Sequence, residues 1–250
     1  SSNKNILEIL EEVSSFDFVV YAQLDHKVNQ REIPNDPYFN QMWGLNNTGQ
    51  NGGQIDGDID AVEAWDISTG GVTALGDEIV VAVVDGGVDI NHPDLINNIW
   101  VNSNEIPNNG VDDDGNGYVD DINGWDAYGN DGSIPSDNHG THVAGTIGAK
   151  GNNNSDVVGV NWDVKIMSIA GSSGSTSTIS LAYGYVLDQK SLWLSTNGEF
   201  GANVVATNSS FGVDNANCNS GSYPVWNDLY NAMGEVGILS AAATTNSNQN

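Results

Sequence analysis

Positive charge is what this sequence most lacks. Six Lys and Arg stand against 33 Asp and Glu, giving a formal net charge of -27. Gripping phosphate takes clustered Lys and Arg, so nucleic acid and anionic membrane surfaces are poor partners, and cations are the natural counterpart. Long apolar runs are missing as well. No stretch of about twenty apolar residues is present, so nothing reads as a membrane-spanning helix, and residues 1–15 lack the basic-then-apolar pattern of a secretory leader. Cysteine is nearly absent. Cys218 stands alone, so it is expected either as a buried thiol or as half of a pair completed beyond residue 250.

What is present suits one large α/β domain with a short extra segment. Residues 5–14 (NILEILEEVS) carry apolar side chains at helical spacing, and 16–22 (FDFVVYA) read as a strand. The texture then changes to Gly, Asn, Asp and Trp, which places a domain boundary between residues 32 and 33. Strand patterns at 78–84, 163–169, 202–208 and 236–243 alternate with helical ones at 139–149, 176–190 and 225–233. That alternation predicts right-handed crossovers and a doubly wound, mainly parallel sheet with helices on both faces, incomplete at its C-terminus. In such folds functional groups collect at the carboxyl ends of the strands, where Asp85 and Asn246 fall. The Asn, Asp and Gly-rich segments 102–138 and 151–156 are too polar to be core and are expected as surface loops.

Two motifs carry chemistry. An apolar run ending in Val84 delivers Asp85 into a Gly-Gly turn (AVVDGGVD, 82–89), and His139 opens the string HGTHVAGT. General-base catalysis near neutral pH calls for an imidazole, and a carboxylate beside it fixes the tautomer and stabilises the imidazolium. Singly, each residue is equally at home as a turn residue or a helix cap. The string around His139 is more specific, because Gly140 and Gly145 permit close helix packing; His142 reads as structural.

A third signal is acidic. Residues 112–121 (DDDGNGYVDD) follow the calcium-loop pattern, with Asp112, Asp114 and Asn116 as ligands, Gly117 at the turn, the Tyr118 carbonyl next and Asp120 after it. Five carboxylates in ten residues repel one another without a cation. Position twelve is Asn123 where an EF-hand has Glu, so a paired-helix EF-hand is not expected. The plainer alternative is a solvated acidic loop.

Taken together, NDPYF (35–39), VVDGGVDINHPDL (83–95), GWD (124–126), HGTHVAGTIGA (139–149), NNSDVVGV (153–160) and NSSFG (208–212) make the chain resemble the subtilisin-like serine peptidases, in particular their thermitase-type branch. The resemblance implies a secreted, calcium-stabilised endopeptidase acting on polypeptides. It makes Asp85 the triad acid, His139 the base and Asn246, in SAAATTNSN, the oxyanion donor; Thr245 replaces a usual glycine there, so Asn248 is the alternative. Ser210, Phe211 and Gly212 would line the substrate cleft. Asp36, Asp94 and Asn153, with carbonyls of Lys150, Ser155 and Val157, match a strong calcium site. Asp126 and Asp131 match part of a weaker one in which Gly129 replaces an acid. Residues 1–32 resemble the tail of an inhibitory propeptide, itself a binding partner of the peptidase domain at 33–250. The Gly-Thr-Ser-Met-Ala string that carries the family's nucleophile does not occur in these 250 residues, so this stretch alone is expected to be inactive. Other classes consistent with the residues are a calcium-binding or adhesive module and a pseudoprotease of the same fold.

Overall fold

A computed structural model describes residues 5–24, 33–213, 216–217, 221–244 and 246. The chain divides into two compact units, Ser1–Arg31 and Glu32–Asn250.

In the first unit, helix α1 spans Ile6–Ser14. Asn5 caps it by accepting from the amides of Leu7 and Glu8, and the Glu8 carboxylate returns to the Asn5 amide at 2.9 Å. The strand expected at 16–22 is not formed. Val19 N donates to Phe16 O at 2.9 Å and the Phe16 and Phe18 rings stack with centroids 5.4 Å apart, so the segment turns back on itself. Its aromatic and β-branched residues favour a strand only where a neighbouring strand offers a pleated surface, and among the described residues of this unit none does.

The second unit is built on a five-stranded sheet, all parallel, in the order β2-β3-β1-β4-β5. The strands are β1 Val80–Asp85, β2 Gly124–Asp126, β3 Lys165–Ala170, β4 Val204–Ser209 and β5 Leu239–Ala242. The helices are α2 Ala61–Trp65, α3 Asn138–Gly148, α4 Thr176–Ser195 and α5 Pro224–Glu235. Side chains of β1 alternate between two cores, as the period of a strand requires. Val80, Ala82 and Val84 face the core formed with α4 and α5, while Val83 joins Ala144 of α3, Leu95 and Ile166 on the other side. Helices therefore cover both faces. The run of valines in β1 follows from this double burial, since neither face tolerates a polar side chain, and each buried aliphatic side chain contributes about 1.5–3 kcal/mol.

Strands β1, β3, β4 and β5 lie within three residues of the ranges read from periodicity. Two elements escaped that reading. Strand β2 is three residues long and α2 five, too short for a period to register. A third cluster, Phe39, Leu45, Val62, Trp65, Val158 and Trp162, packs the segment before β1 against the loop that precedes β3.

Chain order fixes where a site forms. After β1 the sheet grows outward on one side through β3 and β2, and on the other through β4 and β5. The direction of winding reverses at β1, and the crevice beyond the carboxyl end of such a strand is where open α/β sheets hold their ligands. Asp85 is the last residue of β1.

Candidate active site and acidic loops

Asp85 is buried, 4% exposed, at the carboxyl end of β1. Gly86 N donates to Asp85 Oδ1 at 2.8 Å, and the carbonyl of Asp85 receives the amides of Gly171 and Ser172 beyond β3. The Gly86 amide thus holds the carboxylate, and the two amides beyond β3 fix the backbone from which it projects.

His139 lies in the first turn of α3, whose N-cap is Asp137: Asp137 Oδ2 accepts from Gly140 N at 2.8 Å. The helix can come this close to β1 only because position 140 lacks a Cβ, which would sit 2.0 Å from Gly87 O and 3.0 Å from Asp85 Cβ. Gly87 itself, at φ +120°, faces the Pro135 carbonyl, which a Cβ would meet at 2.0 Å. Gly145 has open space around it, contrary to the expectation that it mediates close packing; Gly148, against Val164 and Ile166, is the helix's other tight glycine.

This packing brings His139 Nδ1 to 3.0 Å from both carboxylate oxygens of Asp85. An ionised carboxylate only accepts, so Nδ1 carries the hydrogen and Nε2 is left as a base. The hydrogen bond to Asp85, reinforced by its charge, holds the imidazole above its ordinary pKa. The His139 side chain is 62% exposed, so Nε2 is open to solvent or to a reacting group. Its neighbour His142 is exposed and outside the pair.

The other expected site residues are placed as follows. Ser210, Phe211 and Gly212 continue from β4; Ser210 Oγ accepts from Asn208 Nδ2 at 3.1 Å and Phe211 packs on the main core. Asn246 is exposed, four residues past the end of β5. Thr245, Asn248 and Cys218 lie outside the described residues.

Three acidic groupings follow. Asp36 and Asp94 are both buried beside the loop 150–157. Asp94 is fully engaged, its Oδ1 accepting from Asn153 Nδ2 and its Oδ2 from Val157 N, each at 2.9 Å, while its carbonyl takes the amide of Lys150. Asn153 Oδ1 accepts from Ser155 N. Asp36 Oδ2 accepts from Asn152 N at 2.9 Å, but Asp36 Oδ1 is buried without a partner. Burial raises the Asp36 pKa against the pull of nearby backbone amides, and the charge of Asp94 raises it further. A buried, unpaired carboxylate oxygen next to a second carboxylate is costly without a cation, so this donor set fits a hard divalent ion.

In the 112–121 loop the carboxylates that converge are Glu105, Asp114 and Asp121, with one oxygen from each within 4.8 Å of the others. Asp112 instead accepts from the amides of Asn116 and Gly117, and Asp120 from those of Asn109 and Gly110. Asn116 turns its Nδ2 toward Asp114 and Asp121, and its Oδ1 accepts from Tyr118 N. Asp121 is fully buried and receives Asn102, Tyr185 and Gln189; burial pushes its pKa up to about 6. The Tyr118 hydroxyl donates to Asp188 at 2.7 Å. Spacing alone gave no sign of Glu105, which joins the cluster through tertiary packing, and it counted Asp121 among the crowded carboxylates without assigning it a ligand position. At the third grouping, Asp126 and Asp131 exchange backbone hydrogen bonds and direct Oδ2 atoms to the same side, each 3.0 Å from where a Cβ at Gly129 would stand. Gly129, having no side chain, leaves room beside them.

Comparison with known proteins decides what kind of scaffold this is. The Subtilase family profile matches residues 76–250, more than half of the chain and all five strands. The chain belongs to the subtilase family. Among related subtilases, Subtilisin-like protease 1 of Plasmodium vivax is 43% identical over 135 residues, covering 53% of this chain and 19% of that protein. Neuroendocrine convertase 2 of Drosophila melanogaster is 36% identical over 138 residues, covering 55% of this chain and 18% of that one. The chain thus spans about a fifth of the length of these relatives. A serine protease of Aeromonas sobria shares the fold at a TM-score of 0.55 and 22% identity, covering 84% of this chain and 31% of that structure. Within this subtilase scaffold, sequence reasoning missed Asp137, whose carboxylate stands beside the Asp85–His139 pair. Its signal was a possible N-cap immediately before a helical string.

Proposed function

We propose that the protein is a secreted, calcium-stabilised serine endopeptidase, made as a zymogen, in which Asp85 and His139 supply the acid and base of an Asp-His-Ser triad. The observation that carries this reading is the Asp85–His139 hydrogen bond at the reversal point of a subtilase sheet. The nucleophilic serine is assigned to sequence beyond residue 250, since no Gly-Thr-Ser-Met-Ala string lies within it.

In this reading Asp85 keeps the Nδ1–H tautomer, so His139 Nε2 takes the proton of the serine hydroxyl as it attacks the scissile carbonyl. The imidazolium formed is stabilised by the same carboxylate, then gives its proton to the leaving amine. Asn246 is the proposed side-chain donor to the developing oxyanion, a contribution of about 3–4 kcal/mol. Ser210, Phe211 and Gly212 are the proposed edge along which an extended polypeptide lies. Asp36, Asp94 and Asn153, with the Lys150, Ser155 and Val157 carbonyls, are the proposed holders of one calcium ion. The 112–121 loop with Glu105 is a second candidate, and Asp126 with Asp131 a third. The ion's part is structural: it neutralises carboxylates that the fold buries. Residues 1–32 are proposed as the tail of the inhibitory propeptide.

The experiment is labelling of the full-length protein with a serine-directed sulfonyl fluoride while peptide hydrolysis is followed. One modified serine beyond residue 250, appearing as activity is lost, is the expected result. A protein that neither hydrolyses peptides nor reacts would leave a pseudoprotease as the correct description.

A further inference from the structure

Asp137 does more than begin a helix. Its Oδ2 is occupied by Gly140 N at 2.8 Å, and its backbone carbonyl by the amide and hydroxyl of Thr141, so the side chain has little freedom. It packs over Gly86, where an added Cβ would lie 3.0 Å from Asp137 Cγ and 3.2 Å from Oδ1. So seated, an Asp137 oxygen, an Asp85 oxygen and a ring nitrogen of His139 all fall within 4.8 Å of one another. The imidazole has two carboxylates beside it.

We propose that Asp137 is a positioning residue for His139, a second fixed anion that favours the imidazolium whenever the base takes up a proton. This rests on the assignment of His139 as the base. Geometry carries it: the carboxylate is anchored through Oδ2 on a backbone that Thr141 fixes, is half-buried, and makes no ion pair among the described residues. The only lysines and arginines of residues 32–250 are Lys150, Lys165 and Lys190, and none is at the site. Lys150 pairs with Asp163, and Lys190 is buried against Asn203. Lys165 begins β3 opposite Val80, at the far end of the strands from Asp85.

The charged and titratable groups facing His139 can be followed element by element. From β1 comes Asp85; from the turn after it Asp89, whose carboxylate is taken by Asn91 N. From α3 come Asp137 and, one turn on, His142; β3 contributes Lys165 only, at its distant end. Asp137 also acts on the imidazole in the same direction as Asp85, through charge alone.

The test uses Asp137→Asn, because Asn caps a helix as well as Asp does and the substitution removes charge while leaving the cap. The His139 Cε1 proton is followed by NMR titration in the full-length protein, assigned with a His139→Gln variant. The expected result is a titration midpoint at lower pH in Asp137→Asn than in the wild type, with the difference shrinking as salt is raised because the carboxylate is partly exposed. The acid limb of kcat/KM should move to lower pH in the same variant. Asp228→Asn, an equal change in net charge on α5 at the opposite face of the sheet, should leave the midpoint in place. An unchanged midpoint in Asp137→Asn would overturn the proposal, as would equal shifts in both variants. The titration needs no turnover, so an inactive protein with a shifted midpoint would contradict the peptidase reading and leave this inference standing.

Discussion

The two carboxylate oxygens of Asp85 sit at equal distance, 3.0 Å, from Nδ1 of His139. A buried carboxylate held by the Gly86 amide is thus aimed at an imidazole whose other nitrogen is open, and the tautomer follows from that contact. Asp85→Asn keeps the shape and loses the anion, presenting an amide that can stabilise the wrong tautomer. The expected outcome is a fall in kcat of about 10⁴-fold in the full-length protein. Steady-state kinetics on a peptide substrate checks it, and a loss below tenfold would mean that Asp85 does not orient the base.

The same contact makes stability depend on pH. The folded pKa of His139 is raised, so the stability gained from the pair is complete below the ordinary histidine value of about 6.5 and is lost as pH rises through the folded value. Wild type and Asp85→Asn should therefore differ more in Tm at pH 5.5 than at pH 9, as scanning calorimetry would read. The exposure of His139 keeps the effect small.

Two glycines of α3 should behave in opposite ways. A methyl group at Gly140 collides with the Gly87 carbonyl at 2.0 Å, whereas Gly145 has nothing within 4 Å. Gly140→Ala should destabilise by about 1–3 kcal/mol through displacement of the helix from β1. Gly145→Ala should stabilise by about 0.4–1 kcal/mol, because it only restricts the unfolded chain. Denaturant titration of both variants separates these outcomes.

Calcium should raise Tm, and Asp36 should be part of the reason. An ion that binds only the folded state stabilises it by about 2.7 kcal/mol at a hundredfold excess over its Kd. Asp36 Oδ1 is buried and unpaired, so Asp36→Asn should reduce the difference in Tm between calcium and chelator. An identical difference in the variant would remove Asp36 from the ligand set.

Much of the fold was legible because its two central strands, β1 and β3, are buried on both faces and read as apolar runs ahead of glycine turns. The contact between Asp85 and His139 was legible for a related reason: each sits at a junction, Asp85 where a strand ends and His139 where a helix begins. The acidic loop was read only in part. Spacing named Asp112, Asp114, Asn116, Tyr118 and Asp120, but hydrogen bonds to local amides draw Asp112 and Asp120 away, and Glu105 and Asp121 enter from either side. Local pattern cannot weigh such competition between backbone amides and a shared centre. Gly145 misled similarly, since a glycine in a helix looks alike whether or not a neighbour presses on it. The 16–22 segment shows the same limit, its strand propensity unsupported by any described partner within residues 1–31.

The central claim is that His139 is the base of a hydrolytic site, and the most direct test is kcat for peptide hydrolysis by the full-length protein and its His139→Ala variant. Loss of the base is expected to lower kcat by about 10⁶-fold with the fold intact by circular dichroism. A variant that retained kcat within tenfold of the wild type would show that His139 takes no proton in the reaction, and the catalytic account would be wrong.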